Sequence, residues 1–185
     1  MTAERLRLAG WLSITNAVLT VPGVALELAR HSPTAAQEVK IGSVLLAIVG
    51  LLLTVYILVA LKELLDTRFD FHEADTLISL FIWATITLTA VTIFGVVFPQ
   101  FEKATTFVVV AVVIPLGVVL IVFGKRLLRL PNTLYGLLKP FSYAQIASGF
   151  CFATVMLAPL GVLTSAVGDI VLGIVFLRAA ADSAQ

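Results

Sequence analysis

Four uninterrupted apolar stretches, each about as long as a bilayer is thick, decide what this chain can fold into. A helix needs roughly 20 apolar residues to cross a hydrocarbon core about 30 Å thick. The stretches cover residues 8–28, 41–61, 77–98 and 104–124. Within lipid the backbone must satisfy its own hydrogen bonds, which a helix does inside one segment. We therefore expect an all-α, multi-pass membrane protein.

A fifth apolar stretch, residues 141–177, is too long for a single span. Pro159 and Gly161 interrupt it, and proline breaks the hydrogen-bond ladder of a helix interior. We predict two short spans here, at 141–157 and 160–177, joined by a tight turn. The chain then has six spans arranged as three hairpins in one bundle domain. Five spans is the alternative, if the turn is only a kink.

The composition supports a membrane protein and excludes several other classes. Hydrophobic residues make up 60% of the chain and charged residues 12%, whereas a soluble domain carries about a quarter charged residues. The net charge of +1 gives no basis for nucleic-acid binding. Cys151 is the only cysteine, so it cannot form an intrachain disulfide. His31 and His72 lie in polar connections, so we expect no haem and no other cofactor.

The lysines and arginines predict how the bundle is oriented. With the N-terminus inside, nine of the twelve fall on the cytoplasmic side, as the positive-inside rule favours. These nine are Arg5, Arg7, Lys62, Arg68, Lys125, Arg126, Arg129, Lys139 and Arg178. The outer three are Arg30, Lys40 and Lys103. We expect both termini in the cytoplasm, with the protein in a prokaryotic cytoplasmic membrane.

One inner loop has the pattern of a lipid-binding segment. Lys125, Arg126, Arg129 and Lys139 alternate with leucines, and each cation contributes on the order of 1 kcal/mol against an anionic surface. Contact with anionic lipid is one interpretation. A solvated loop on the positive side of the membrane is the other.

Asp169 is the residue that most needs an explanation. Arg178 should anchor its helix at the inner surface, and nine residues at about 1.5 Å each place Asp169 near the midplane. A charged carboxylate there costs at least a few kcal/mol, so it must be protonated, paired or in contact with water. No lysine or arginine is predicted at that depth, which argues against a buried ion pair.

The neighbours of Asp169 indicate that it faces protein. Gly161, Ser165, Asp169 and Gly173 recur every four residues, and small or polar residues at this spacing let two helices approach closely. Asn16 lies nine residues from Arg7, as Asp169 lies nine from Arg178. If the first and last helices are neighbours, Asn16 could hydrogen-bond the carboxyl group.

Other polar positions favour packing over chemistry. Thr85, Thr89 and Thr92 share one face of the third helix, where threonines usually bond their own backbone. They could instead line a substrate path. Gln145 and Ser148 in the fifth helix are expected to be helix contacts.

No motif indicates an enzyme or a metal site. The chain has no glycine-rich phosphate loop, no Gly-x-Ser-x-Gly and no His-Glu-x-x-His. The loop 70–75 concentrates oxygen and imidazole ligands, but its spacing matches no known metal motif. We predict instead that Asp75 caps the third helix.

Two hypotheses about function follow. Small size, short loops and polar stripes favour a non-catalytic accessory or assembly subunit of a membrane complex, bound to other subunits or to itself. The alternative is a small transporter or channel in which Asp169 exchanges a proton or binds a cation. Pro115, in the middle of the fourth span, favours this second hypothesis because transporters use broken helices to coordinate ions.

Overall fold

The computed structural model describes residues 2–30, 32, 36–69, 71–130 and 136–183, and most of them are helical. The helices are α1 (Ala3–Arg30), α2 (Gln37–Phe69), α3 (Asp75–Val97), α4 (Glu102–Leu127), α5 (Leu138–Ala153) and α6 (Ala158–Asp182). Five of these six are long and apolar enough to span a membrane; α5, with 16 residues, is the exception. The prediction of an all-helical fold with several membrane-spanning helices is confirmed at this level.

The break between the last two helices comes earlier than predicted. The turn covers residues 154–157 and includes Val155 at a φ of 55°, a left-handed conformation that is uncommon for a β-branched residue. Pro159 lies in the first turn of α6 instead of ending a helix. A proline is tolerated there because the first N–H groups of a helix have no intrahelical partner.

The six helices form a closed ring. Each packs against its neighbours in the sequence, and α6 returns to pack against α1. Within the described residues no other pair of helices lies as close along its backbone. Successive helices run antiparallel, so the start of α1 and the ends of α2 and α6 lie at the same end of the bundle. Arg5 of α1 lies 3.9 Å from Glu63 of α2. Arg68, near the end of α2, donates a 2.9 Å hydrogen bond to the Ala179 carbonyl of α6. We call this end, where α1 begins and α6 ends, the terminal end, and the opposite end the distal end.

The ring is densely packed at the terminal end and loosely packed at the distal end. The core contains the start of α1, the end of α2, the end of α4, the start of α5 and the end of α6. Leu61, Leu127 and Phe176 are each no more than 1% exposed. Toward the distal end fewer residues are buried; Ser43 and Gly161 are two of them, and Ser148, Gly149, Ala166 and Gly168 lie nearer the middle of the bundle. The bundle is therefore more tightly packed at its terminal end than at its distal end.

Glycines bring two helix pairs into backbone contact. A Cβ added to Gly149 of α5 would lie 2.5 Å from the Gly117 carbonyl oxygen of α4. A Cβ added to Gly173 of α6 would lie 2.9 Å from the Gly10 carbonyl oxygen of α1. Such close approach is the usual role of small residues between membrane helices. It fixes the register in which α1 and α6 face each other.

Candidate functional site

The register between α1 and α6 brings Asn16 against Asp169. The Asn16 side-chain amide donates a 2.8 Å hydrogen bond to Asp169 Oδ2. One turn earlier in α1, the Ser13 hydroxyl donates a 2.7 Å bond to the Asp169 backbone carbonyl. The hydrogen bond between Asn16 and Asp169, which their equal distances from Arg7 and Arg178 had suggested, is thus present in the structure. It holds the carboxyl group in one orientation.

Among the described residues, the protein engages only one oxygen of the carboxyl group. Oδ1 of Asp169 accepts no hydrogen bond from any residue that the structure describes. The side chain keeps an intermediate exposure and lines a cavity of about 310 Å³ inside the ring, which we call the central cavity. A half-engaged carboxylate facing a cavity can accept a proton or hold a cation.

All six helices contribute to the wall of the central cavity. Its polar lining residues are Asn16, Thr20, Thr54, Thr85, Gln145, Ser165 and Asp169. Leucines and four phenylalanines supply most of the remainder. Lysine and arginine are absent from the lining that the structure describes. Asp169 is therefore the only acidic or basic side chain among the described residues that line this cavity.

Gln145 is the helix contact that its position suggested, since a Cβ added to Gly168 of α6 would lie 3.2 Å from its Nε2, and it also lines the central cavity. Its side chain is 6% exposed and lines the central cavity, yet its amide makes no hydrogen bond to any described residue. One turn further along α5, the fully buried Ser148 Oγ also lacks a described hydrogen-bond partner. Buried polar groups are nearly always hydrogen-bonded, so an orphaned amide facing a cavity suggests a ligand or ordered water. The sequence signal was a glutamine inside a predicted span.

The threonines of α3 divide between two cavities. Thr85 lines the central cavity, and its hydroxyl donates a 2.8 Å bond to the Phe81 carbonyl one turn back. Thr92 lines a second cavity of about 380 Å³ at the distal end. Thr89 lies between them in α3 and lines neither. The face of α3 that carries Thr85 and Thr92 continues from the central cavity to the distal one.

A third cavity, of about 280 Å³, adjoins both of the others. It shares Asn16, Thr20 and Gly50 with the central cavity and Glu27 with the distal one. Glu27 forms an ion pair with Arg30. Cavities thus follow one another from the distal end to Asp169, whereas the packed core occupies the terminal side.

The four-residue stripe of α6 makes contacts within this chain. Gly161 packs against Cys151 and Phe152 of α5, and Gly173 packs against Ile14 of α1. Between them, Ser165 and Asp169 line the central cavity. The stripe therefore runs from the contact with α5, along the cavity wall, to the contact with α1.

Pro115 lies within α4, is exposed and does not line the central cavity.

The connection between α2 and α3 forms a small polar cluster at the terminal end. The His72 Nδ1 atom lies 3.2 Å from Oδ1 of Asp66, a residue of α2. The same nitrogen lies 3.9 Å from Asp75 Oδ2. The three ligand atoms are within 4.8 Å of one another, close enough to hold a metal ion. However, Lys62 Nζ already neutralises Asp75 at 3.2 Å. The geometry favours an ion-pair cluster that joins α2 to α3.

The predicted cap of α3 is wrong by one residue. Ala74 occupies the N-cap position and makes no side-chain hydrogen bond, whereas Asp75 is the first residue of the helix. Its carboxylate still lies where the positive end of the helix dipole favours a negative charge. It pairs with Lys62 instead of capping the backbone. Asp70 and His31 lie outside the described residues.

The cations of the second inner loop lie at the terminal end. Lys125, Arg129 and Lys139 are exposed, and Arg126 donates a hydrogen bond to the Glu73 carbonyl. Residues 131–135 of this loop lie outside the described part of the chain.

Comparison with known proteins does not add to this geometry. No protein-family model, no curated protein and no solved structure matches the chain.

Proposed function

We propose that this protein is a small membrane carrier in which Asp169 exchanges a proton for a cationic solute. The observation that supports this function is the position of a half-engaged carboxylate at the closed end of a one-sided cavity. Substrate could reach Asp169 from the distal end, while the packed core at the terminal end blocks passage. Such one-sided access is what an alternating-access carrier requires at its midplane site.

The same proposal includes a topology. All six helices cross the membrane, both termini are cytoplasmic, and the distal end faces outward. The nine-to-three distribution of lysine and arginine supports this orientation. At about 1.5 Å per residue the 16 residues of α5 cover about 24 Å, so the turn at 154–157 lies within the outer leaflet.

The accessory-subunit hypothesis loses one of its supports. It rested partly on polar stripes that would be used for contacts with other subunits. In the structure the stripe of α6 is used between α5, α6 and α1. A subunit without transport activity also has no need for a carboxylate facing a cavity.

One-sided access can be tested with a cysteine at Ser165, in a protein whose Cys151 is replaced by serine. Ser165 lines the central cavity, so we expect Ser165→Cys to react with a membrane-impermeant methanethiosulfonate in intact cells. In inverted membrane vesicles the same cysteine should react at least tenfold more slowly than in intact cells, because the packed core separates the cavity from the terminal end. Labelling is measured by mass spectrometry.

Val175→Cys is the matched control for this experiment. It lies on the same helix, is 1% exposed and belongs to the packed core. It should resist the reagent from both sides. Faster labelling of Ser165→Cys from the cytoplasmic side, or none from either side, would refute the carrier with outward access.

We also propose that the exposed cations at the terminal end bind anionic lipid. Replacing Lys125, Arg129 and Lys139 together with glutamine should lower the anionic lipid that co-purifies in mild detergent, because each cation contributes about 1 kcal/mol. Lipid mass spectrometry measures the change. The double replacement of Lys40 and Lys103, at the distal end, should leave lipid content unaltered; equal losses in both variants would contradict the proposal.

A further inference from the structure

The walls of the central cavity combine one carboxylate with an aromatic lining. Phe81 of α3, Phe123 of α4, and Phe141 and Phe152 of α5 line the cavity together with Asp169. Phe123 and Phe141 meet edge to face, with ring centroids 6.4 Å apart at 89°. Three different helices thus present phenyl rings to the cavity that Asp169 faces from α6.

This combination is suited to an organic cation. The face of an aromatic ring attracts a cation, and rings grouped around a desolvated site are the usual means by which proteins bind quaternary ammonium groups. A carboxylate supplies the opposite charge. The hydrocarbon part of such a ligand would replace water against the leucines of the wall, which is favourable in itself.

An inorganic cation fits the cavity poorly. Hard cations such as Ca²⁺ take six to eight oxygen ligands. Among the described residues that line the cavity, Asp169 is the single carboxylate that could meet this demand. A volume of about 310 Å³ is also far larger than one dehydrated ion. The cavity has the dimensions of a small organic molecule.

Gln145 is a second, independent indication of a ligand. The Gln145 residue is 6% exposed, lines the cavity and makes no side-chain hydrogen bond to any residue that the structure describes. Its carbonyl oxygen could accept a hydrogen bond from an ammonium N–H. Asp169 Oδ1 is similarly available, so two acceptors on α5 and α6 face the same space.

Other charges do not compensate Asp169. The nearest cation along α1 is Arg7, nine residues from Asn16, which is about 13 Å along the helix, and Arg178 lies equally far from Asp169 along α6. Neither cation belongs to the described lining of the cavity. A positive ligand is thus the electrostatic complement that the cavity lacks.

We propose that the substrate of the central cavity is a small organic ammonium ion, with its charged nitrogen against Asp169 and Gln145 and its hydrocarbon part among the phenylalanines. This inference rests on the proposed carrier function and specifies its substrate class. A primary or secondary ammonium would use Gln145 as a hydrogen-bond acceptor. A quaternary one would depend on Asp169 and the rings alone.

Calorimetric titration of the full chain in lipid nanodiscs tests the proposal with two probes, benzyltrimethylammonium and benzylammonium. Both should bind the wild-type protein saturably. Asp169→Asn should weaken both at least tenfold, because the opposite charge is lost. Phe81→Leu, which removes a ring but keeps an apolar side chain, should weaken both by several fold. Gln145→Leu should weaken benzylammonium only.

Phe107→Leu is the matched control, since Phe107 is 75% exposed and does not line the central cavity. Its affinities should equal those of the wild type. Absence of saturable binding to the wild type, or unchanged affinity in both Asp169→Asn and Phe81→Leu, would overturn the substrate class. Outward labelling of Ser165→Cys would then still support a carrier, so the two failures are distinguishable.

Discussion

Replacing Asp169 with asparagine should abolish coupled proton movement while leaving the bundle folded. Asparagine keeps the size of the side chain and can hydrogen-bond Asn16, but it can neither release a proton nor carry a negative charge. Proteoliposomes that contain a pH-sensitive dye would be given inward gradients of sodium, potassium or benzyltrimethylammonium. We expect the wild type to export protons with at least one of them, and Asp169→Asn to fall to the level of protein-free liposomes.

Asp182→Asn is the control for this substitution. It makes the same chemical change in the same helix, but at the exposed terminal end. Its flux should match that of the wild type, and all proteins should elute identically from a sizing column. Wild-type flux in Asp169→Asn would contradict the role given to the carboxylate. A folded wild type without flux under any gradient would favour the accessory-subunit hypothesis.

The three gradients also separate the function from the substrate. Proton export driven by sodium or potassium alone would support the carrier but not an organic substrate. Export driven by benzyltrimethylammonium would support both. In each case the loss in Asp169→Asn identifies the same group.

Replacing Gly149 with alanine should strongly destabilise the bundle. The added Cβ would lie 2.5 Å from the Gly117 carbonyl oxygen and 2.9 Å from the Ile121 backbone nitrogen. Backbone atoms cannot move aside as a flexible side chain can, so α4 and α5 would have to separate. Overpacking of this kind typically costs about 1–3 kcal/mol. Thermal unfolding in detergent should show a clearly lower midpoint.

Gly50→Ala is the matched control for packing. A Cβ at Gly50 would have no neighbour within 4 Å, and the residue lies inside α2. Because alanine is favoured over glycine in a helix by about 1 kcal/mol, the midpoint should stay the same or rise slightly. Equal destabilisation by both changes would show that the α4–α5 contact is not as close as the structure has it.

The pairing of Asn16 with Asp169 shows how far sequence patterns reach into tertiary structure. Arg7 and Arg178, at the ends of their helices, allowed the depth of Asn16 and of Asp169 in the membrane to be predicted, and the two depths agreed. Depth alone cannot say which helices are neighbours, because each helix may rotate and six can be arranged in many ways. The contact became definite only when Gly10 and Gly173 brought α1 and α6 together.

The roles of Gln145 and the phenylalanines were beyond sequence reasoning. In an apolar span a glutamine has the same appearance whether it faces another helix or a cavity. Phenylalanines likewise suit lipid, core or cavity equally well. Their grouping around Asp169 depends on the rotation of α3, α4 and α5 about their own axes, which long-range packing sets.

The sequence by itself determined that the chain forms apolar helices long enough to span a bilayer, and that one carboxylate lies deep within them. Both follow from local physics, since hydrophobic length and the cost of burying a charge depend on a single segment. The tertiary structure alone decided that the helices close into a ring that is tightly packed at the terminal end and loosely packed at the distal end. That difference depends on which glycines let which helices approach, and it is what gives Asp169 a cavity to face.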